Sequence, residues 1–121
     1  MAKKMMVLLI AVIFTLVVFN NYAWCQYYKS GSELVRLWRA YQLVESHKAT
    51  QSEIIDGVMF MGYMEGVADA LRDKFNRPPH VTTSQLCNIA GKYLDAHPNE
   101  WHENGADLVM RSLQDAFPKK R

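Results

Sequence analysis

The side chains best suited to chemistry are His47, His80, His97 and His102, the thiol of Cys87, and the carboxylates Glu65, Asp69 and Asp73. Zinc held on one helical face needs ligands four apart, and His97 and His102 are five apart. His97, next to a proline, reads as a residue that caps or turns the chain, and His47 as part of an exposed linker, so neither is read as catalytic. Cys87 lies in the stretch LCNIAGKYL, on an apolar helical stripe. There a thiol is a small buried hydrophobe, without the electropositive, partly open setting that makes a nucleophile. Glu65, Asp69 and Asp73 recur at every fourth position and predict an acidic edge facing solvent or a partner, balanced by Arg72 and Lys74. No histidine shares that spacing and no EF-hand loop is present. A phosphate-binding loop, a G-x-S-x-G elbow and a dinucleotide fingerprint are all missing from the sequence. The pattern argues against an enzyme and implies neither metal nor cofactor.

The elements that would position these residues begin after a leader. Lys3 and Lys4 precede an apolar run from Met5 to Phe19, followed by Asn20, Asn21 and Ala23-Trp24-Cys25. This is the layout of a secretory signal peptide. A helical run of that length reaches about 22 Å, short of the roughly 30 Å of a bilayer core. Residues 1–25 are therefore read as a signal peptide cleaved after Cys25, and residues 26–121 as a single domain. An uncleaved anchor using Tyr22 and Trp24 at the interface is the alternative. The net charge of +2 belongs to the leader: without Lys3 and Lys4, 12 basic residues face 12 acidic ones. No basic stripe remains for nucleic acid. Cleavage after Cys25 leaves Cys87 alone, so no internal disulfide forms; an earlier cut would let Cys25 pair with it.

Within the domain, periodicity predicts four helices and no sheet. Ser30 and Glu33 form the first capping signature, followed by Leu34, Leu37, Trp38, Tyr41 and Val44 on one face. Thr50 and Glu53 open a second helix, predicted to run to Phe75. Its segment Gly57–Phe75 is apolar around nearly its whole circumference, which predicts a buried core helix. Gly57, Gly62 and Gly66 each cost about 1 kcal/mol against alanine, and close approach of a neighbouring helix is the expected reason. A kink near Gly57 or Gly62 would suit its length. Asn76-Arg77-Pro78-Pro79 stops this helix and makes a stiff loop. Thr82 with Gln85 caps a third helix through Leu86, Ile89, Ala90, Tyr93 and Leu94. After the His97-Pro98 turn, a last helix is predicted to carry Trp101, Gly105, Leu108, Val109, Leu113, Ala116 and Phe117 inward, ending at Pro118.

Three ordered pieces carry a resemblance: Gly62-Tyr63-Met64-Glu65-Gly66-Val67-Ala68-Asp69-Ala70, then Pro78-Pro79-His80-Val81-Thr82-Thr83-Ser84-Gln85-Leu86, then Lys92-Tyr93-Leu94-Asp95-Ala96-His97-Pro98 with His102 and the closing Ala116-Phe117-Pro118. From Ser32 to Pro118 the chain resembles the Rap/Tai immunity proteins, with Gly62, Gly66, Asp69 and Pro98 as motif positions. The resemblance implies a small periplasmic helical protein, often a homodimer, that blocks the active site of a peptidoglycan amidase effector of a type VI secretion system. Trp38, Phe60, Asn76 and Lys119 stand where the family commonly has cysteines, so its usual disulfides, each worth about 2–5 kcal/mol, cannot form. Aromatic and methionine packing around Trp38 and Phe60 is the expected compensation. The family usually has glycine at position 80, which implies a positive φ for His80.

Loops held on a scaffold commonly carry recognition, so Arg77 and His80 on the rigid loop, with Glu100, Trp101 and His102, are the candidate partner contacts. Trp101 also fits the core, and His102 fits a hydrogen bond that fixes its turn. The competing function is a small periplasmic helical chaperone with Met-rich surfaces, weakened because Met59, Met61 and Met64 are assigned inward. A membrane-anchored accessory subunit would require the leader to stay attached. The leader reading predicts that mass spectrometry of the exported protein finds its N-terminus near Gln26; a start elsewhere overturns the cleavage site.

Overall fold

The computed structural model describes the backbone of residues 1–22 and 28–120 and the side chains of residues 1–15 and 28–120. Ala23 and Cys25, the expected cleavage pair, lie outside the described residues. The described residues are all-helical, with five α-helices: α1 (Ala2–Tyr22), α2 (Gly31–Glu45), α3 (Gln51–Ala70), α4 (Thr83–Ala96) and α5 (Gly105–Ala116), with a 3-10 turn at Pro98–Glu100. The leader segment is itself a helix, which makes five where four were expected for the domain. It extends beyond the apolar run at both ends, and its residues Met5 to Ile10 and Val12 to Phe14 are exposed. Among the described residues, no helix is long and apolar enough to cross a membrane.

The capping signatures set the starts of the helices. Thr50 and Thr82 each accept from the amide three residues on, while Glu53 and Gln85 reach back to the capping amides, at 2.7 and 2.8 Å. At α2 the Ser30 hydroxyl accepts from Glu33 N, and the Glu33 carboxylate takes the Lys29 ammonium at 2.9 Å. The starts of α2 and α5 are tied by an antiparallel bridge in which Gly31 N donates to Glu103 O and Gly105 N to Lys29 O. The turn that follows α2 holds His47, the one non-glycine residue with positive φ among those described (56°). Its amide and that of Lys48 donate to Val44 and Leu43, which satisfies the last carbonyls of the helix.

One core joins the four domain helices. α2 contributes Leu34, Leu37, Trp38 and Tyr41, α3 Phe60 and Met64, α4 Leu86, Cys87, Ala90 and Leu94, and α5 Leu108, Val109 and Leu113. Trp38 is in ring contact with Tyr41 and Phe60, all three pairs of centroids lying 5.7–5.9 Å apart. Its indole also lies flat on Gly91: a Cβ there would come within 2.3 Å of the ring. The indole N–H donates to Asp95 at 3.0 Å. Two of the positions where family cysteines were expected, 38 and 60, are thus in side-chain contact. The other two belong to stretches that hold each other through hydrogen bonds and not a covalent one: Asn76 N donates to Phe117 O, and Lys119 Nζ to Asp73 O.

Four expectations are corrected. α3 runs unbroken but stops at Ala70, and beyond it the chain turns so that Asn76 N donates to Phe117 O at the end of α5. Phe75 is buried from the turn that follows, not from the helix. α3 is not enclosed: it buries one stripe, Gly57, Phe60, Met64 and Ala68, while Ile54, Ile55, Val58 and Met59 are exposed. Close helix approach explains Gly57, whose added Cβ would meet Val44 at 2.9 Å; at Gly62 and Gly66 it would meet nothing within 4 Å. The last helix starts after an Asn104 cap, so Trp101 precedes it, and Ala116 faces solvent.

The ring cluster predicts the cost of breaking it. Phe60→Ala, which opens a cavity between Trp38 and Tyr41, should lower the unfolding free energy by about 3–5 kcal/mol in urea denaturation. A loss below about 1 kcal/mol would mean that the aromatic cluster does not stand in for the missing bridges.

Candidate partner-binding surface

The connection from α3 to α4 is built from the carboxylate of Glu65. Arg77 donates to both of its oxygens, at 3.1 and 3.4 Å, and uses its second nitrogen for the carbonyl of Val81 at 3.0 Å. The Thr83 hydroxyl donates to the same carboxylate at 2.6 Å. One side chain of α3 therefore fixes both ends of the loop, and Pro78 and Pro79 stiffen its middle. The Thr83 hydrogen bond first, and the Arg77 guanidinium second, hold the Glu65 carboxyl below its ordinary range. The expected acidic edge is consequently broken up: Glu65 is paired, Asp69 stays exposed, and Asp73 lies beyond the helix beside Lys74.

This framework presents a shallow groove of about 380 Å³ between the end of α3 and the loop, lined in part by Asp69, Arg72, Asn76 and Pro79. Asp69, Arg72 and His80 are exposed and carry no hydrogen bond or ion pair among the described residues. Such groups contact a partner without first breaking an internal bond. The proposed left-handed backbone at His80 is not found, since positive φ occurs at His47 instead. The two prolines before it and the Glu65 network shape the loop without that conformation. Arg77, named as a contact from its loop position, is a positioning residue, with its guanidinium committed inward.

The other three candidates lie elsewhere. Glu100, Trp101 and His102 follow the C-terminus of α4, whereas the loop precedes its N-terminus; 14 residues of helix separate them, about 21 Å. The Trp101 indole donates to Leu94 O at 2.8 Å, and its ring packs partly against the core. Glu100 accepts from Tyr93 and Arg111, and Arg111 also pairs with Glu103. His97 stacks on Tyr93 with ring centroids 4.0 Å apart and a ring nitrogen 2.8 Å from Tyr93 O, a structural fit for a residue in a turn. His102 is exposed and makes no hydrogen bond among the described residues, so it does not fix the turn as expected. The Pro98-led 3-10 turn and Trp101 do that.

Burial, with a smaller contribution from the Glu65 charge, pushes the Cys87 thiol up to about 12, which removes its nucleophile at neutral pH. No three His, Cys, Asp or Glu residues among those described are grouped to hold a metal ion. What the surface offers is a stiff exposed loop and uncommitted charges. A family model described as Rap1a immunity proteins matches residues 21–118. The chain belongs to the Rap1a immunity protein family. No curated protein matches it. Membership makes it an immunity protein whose partner is an effector, and it agrees with the resemblance in the motif pieces, all of which lie inside the matched span. In this Rap1a member, loop position and proline content made the loop legible, but the free Arg72 next to it carries no sequence signal.

The Glu65 network gives a pH prediction. Its carboxyl is lowered in the folded protein, so the stability it contributes is present above its ordinary value of 4.5 and is lost as pH falls through the folded one. Glu65→Gln should cost about 1 kcal/mol at neutral pH, allowing for solvent screening of a partly exposed group. The difference from the native chain, measured by urea unfolding, should shrink as pH falls below 4.5 and the carboxylate takes up its proton. A gap that stays constant with pH would remove the ionised carboxylate from the account.

Proposed function

We propose that this protein is a periplasmic immunity protein that binds and inhibits a peptidoglycan amidase effector of a type VI secretion system, working as a homodimer. Residues 1–25 act as the export signal, and residues 26–121 form the binding domain, without a membrane anchor after cleavage. The protein works by occupying its partner stoichiometrically and not by catalysis. The observation that carries the reading is the pairing of family membership with a proline-stiffened loop whose neighbours Asp69, Arg72 and His80 are free to make contacts. A loop held in one shape loses little conformational entropy on binding, which favours insertion into an enzyme cleft.

A second reading, a small periplasmic helical chaperone, draws on the exposed apolar residues of α3: Ile55, together with Val58 and Met59, which sequence reasoning had placed inside. The two readings differ in stoichiometry and in specificity. Co-expression with amidase effectors directed to the periplasm should restore survival and yield a complex of fixed stoichiometry. Arg72→Glu and His80→Glu, both at exposed positions, should each weaken that complex by at least about tenfold with an unchanged urea midpoint. Failure to protect against any such amidase, together with suppressed aggregation of unrelated unfolded clients, would establish the chaperone instead.

A further inference from the structure

α3 keeps two glycines that the packing of the chain does not explain. In a helix interior each costs about 1 kcal/mol against alanine, yet a Cβ built on Gly62 or Gly66 would meet nothing within 4 Å. What their bare backbone provides is space. Together with Tyr63, Val67, Ala70 and Leu71 they line an apolar hollow of about 400 Å³, closed on the far side by Ala106 of α5.

The polar groups beside the hollow are of one sign. Asp107 follows Ala106 in the first turn of α5; it is exposed and makes no hydrogen bond or ion pair among the described residues. Tyr63 is half-buried, and its hydroxyl makes no hydrogen bond among them either. Burial first, then the charges of Asp107 and Glu33, push the phenol above its ordinary range. Glu33 already holds Lys29, whereas Asp107 has no counter-charge, and no lysine or arginine lines the hollow. Such a site suits an occupant that is apolar along its length and cationic at its tip. Lysine and arginine have that form, with a stem that packs on apolar surface and a head that stays at the boundary with water. A wholly apolar side chain leaves the carboxylate unmatched, and an acidic one is repelled by it. The hollow also adjoins the surface beside the loop: Ala70 and Leu71 line it, while their chain neighbours Asp69 and Arg72 line the groove. A partner seated on that groove has the hollow within one helical turn.

We propose that the hollow between α3 and α5 receives a lysine or arginine side chain of the partner bound at the loop. Its stem lies against Gly62, Gly66, Val67 and Ala106, and its charged head reaches the Tyr63 hydroxyl and the Asp107 carboxylate. The glycines admit the stem, and Asp107 selects for positive charge. That the partner is an effector rests on the function proposed above; the preference of the hollow for a basic side chain does not.

The peptide acetyl-Gly-Lys-Gly-amide, titrated into the purified protein without effector, should shift the amide resonances of Gly62 and Ala106 saturably, with a dissociation constant on the order of 1 mM. The arginine peptide should do the same. Norleucine or glutamate in place of lysine should weaken binding at least about threefold. Asp107→Asn should remove the preference for lysine over norleucine, and Gly66→Leu, which fills the hollow, should abolish saturation for every peptide. Both positions are exposed, so the circular dichroism spectrum should not change. Norleucine binding as tightly as lysine, saturable shifts that survive Gly66→Leu, or none with either basic peptide would overturn the proposal. In a complex with an effector, Asp107→Asn should raise the dissociation constant at least about threefold; an unchanged constant overturns the assignment to that partner. The peptide titration contains no effector, so its result stands whatever co-expression shows about the amidase.

Discussion

The indole of Trp38 is the contact on which the other helices depend. Its ring stacks with Tyr41 within α2, meets Phe60 of α3 and lies on the bare backbone of Gly91 in α4, while its N–H reaches Asp95. Three helices are therefore set by one side chain. A residue larger than glycine at position 91 would push α4 away, and a smaller ring at 38 would leave a void against Phe60. Buried aromatic pairs contribute roughly 0.5–1.5 kcal/mol beyond their area, and the indole hydrogen bond keeps the polar edge satisfied at the boundary of the core. Van der Waals contact thus joins two positions where covalent bridges were expected from the family resemblance.

That arrangement has a consequence for the loop. With α2, α3 and α4 fixed by the cluster, Glu65 on α3 and Thr83 on α4 are held 2.6 Å apart, side chain to side chain. Arg77 then closes the triangle, and the prolines leave the loop few alternatives. Rigidity at the presenting surface derives from packing well below it. The residues that remain free to recognise a partner, Asp69, Arg72 and His80, are those the network does not use.

A second theme is that α3 serves two masters. Helices apolar on all sides are ordinarily enclosed, and the stretch from Gly57 to Phe75 reads that way. The fold supplies neighbours for only one side of it. The remaining face keeps its glycines open and its aliphatic residues wet, which has physical sense when another surface covers it. The same composition therefore supports two meanings, burial within a domain or burial between molecules, and periodicity does not distinguish them.

Much of the architecture was legible in the sequence because it is set locally. Ser30, Thr50 and Thr82 with their partners three residues on fix where helices begin, prolines at 78, 79 and 98 fix where they cannot continue, and Cys87 on an apolar stripe announces an inert thiol. Other features depend on groups distant along the chain. The turn after α3 is tied to the end of α5 by an amide of Asn76 meeting a carbonyl 41 positions later at Phe117. The commitment of Arg77 follows from Glu65, the left-handed turn from His47 and not His80, and the openness of Gly62 and Gly66 from where no helix happens to lie. Sequence fixed the short-range hydrogen bonds and the inward stripes; only the packing of α2, α4 and α5 decided which apolar face of α3 would be left for something else.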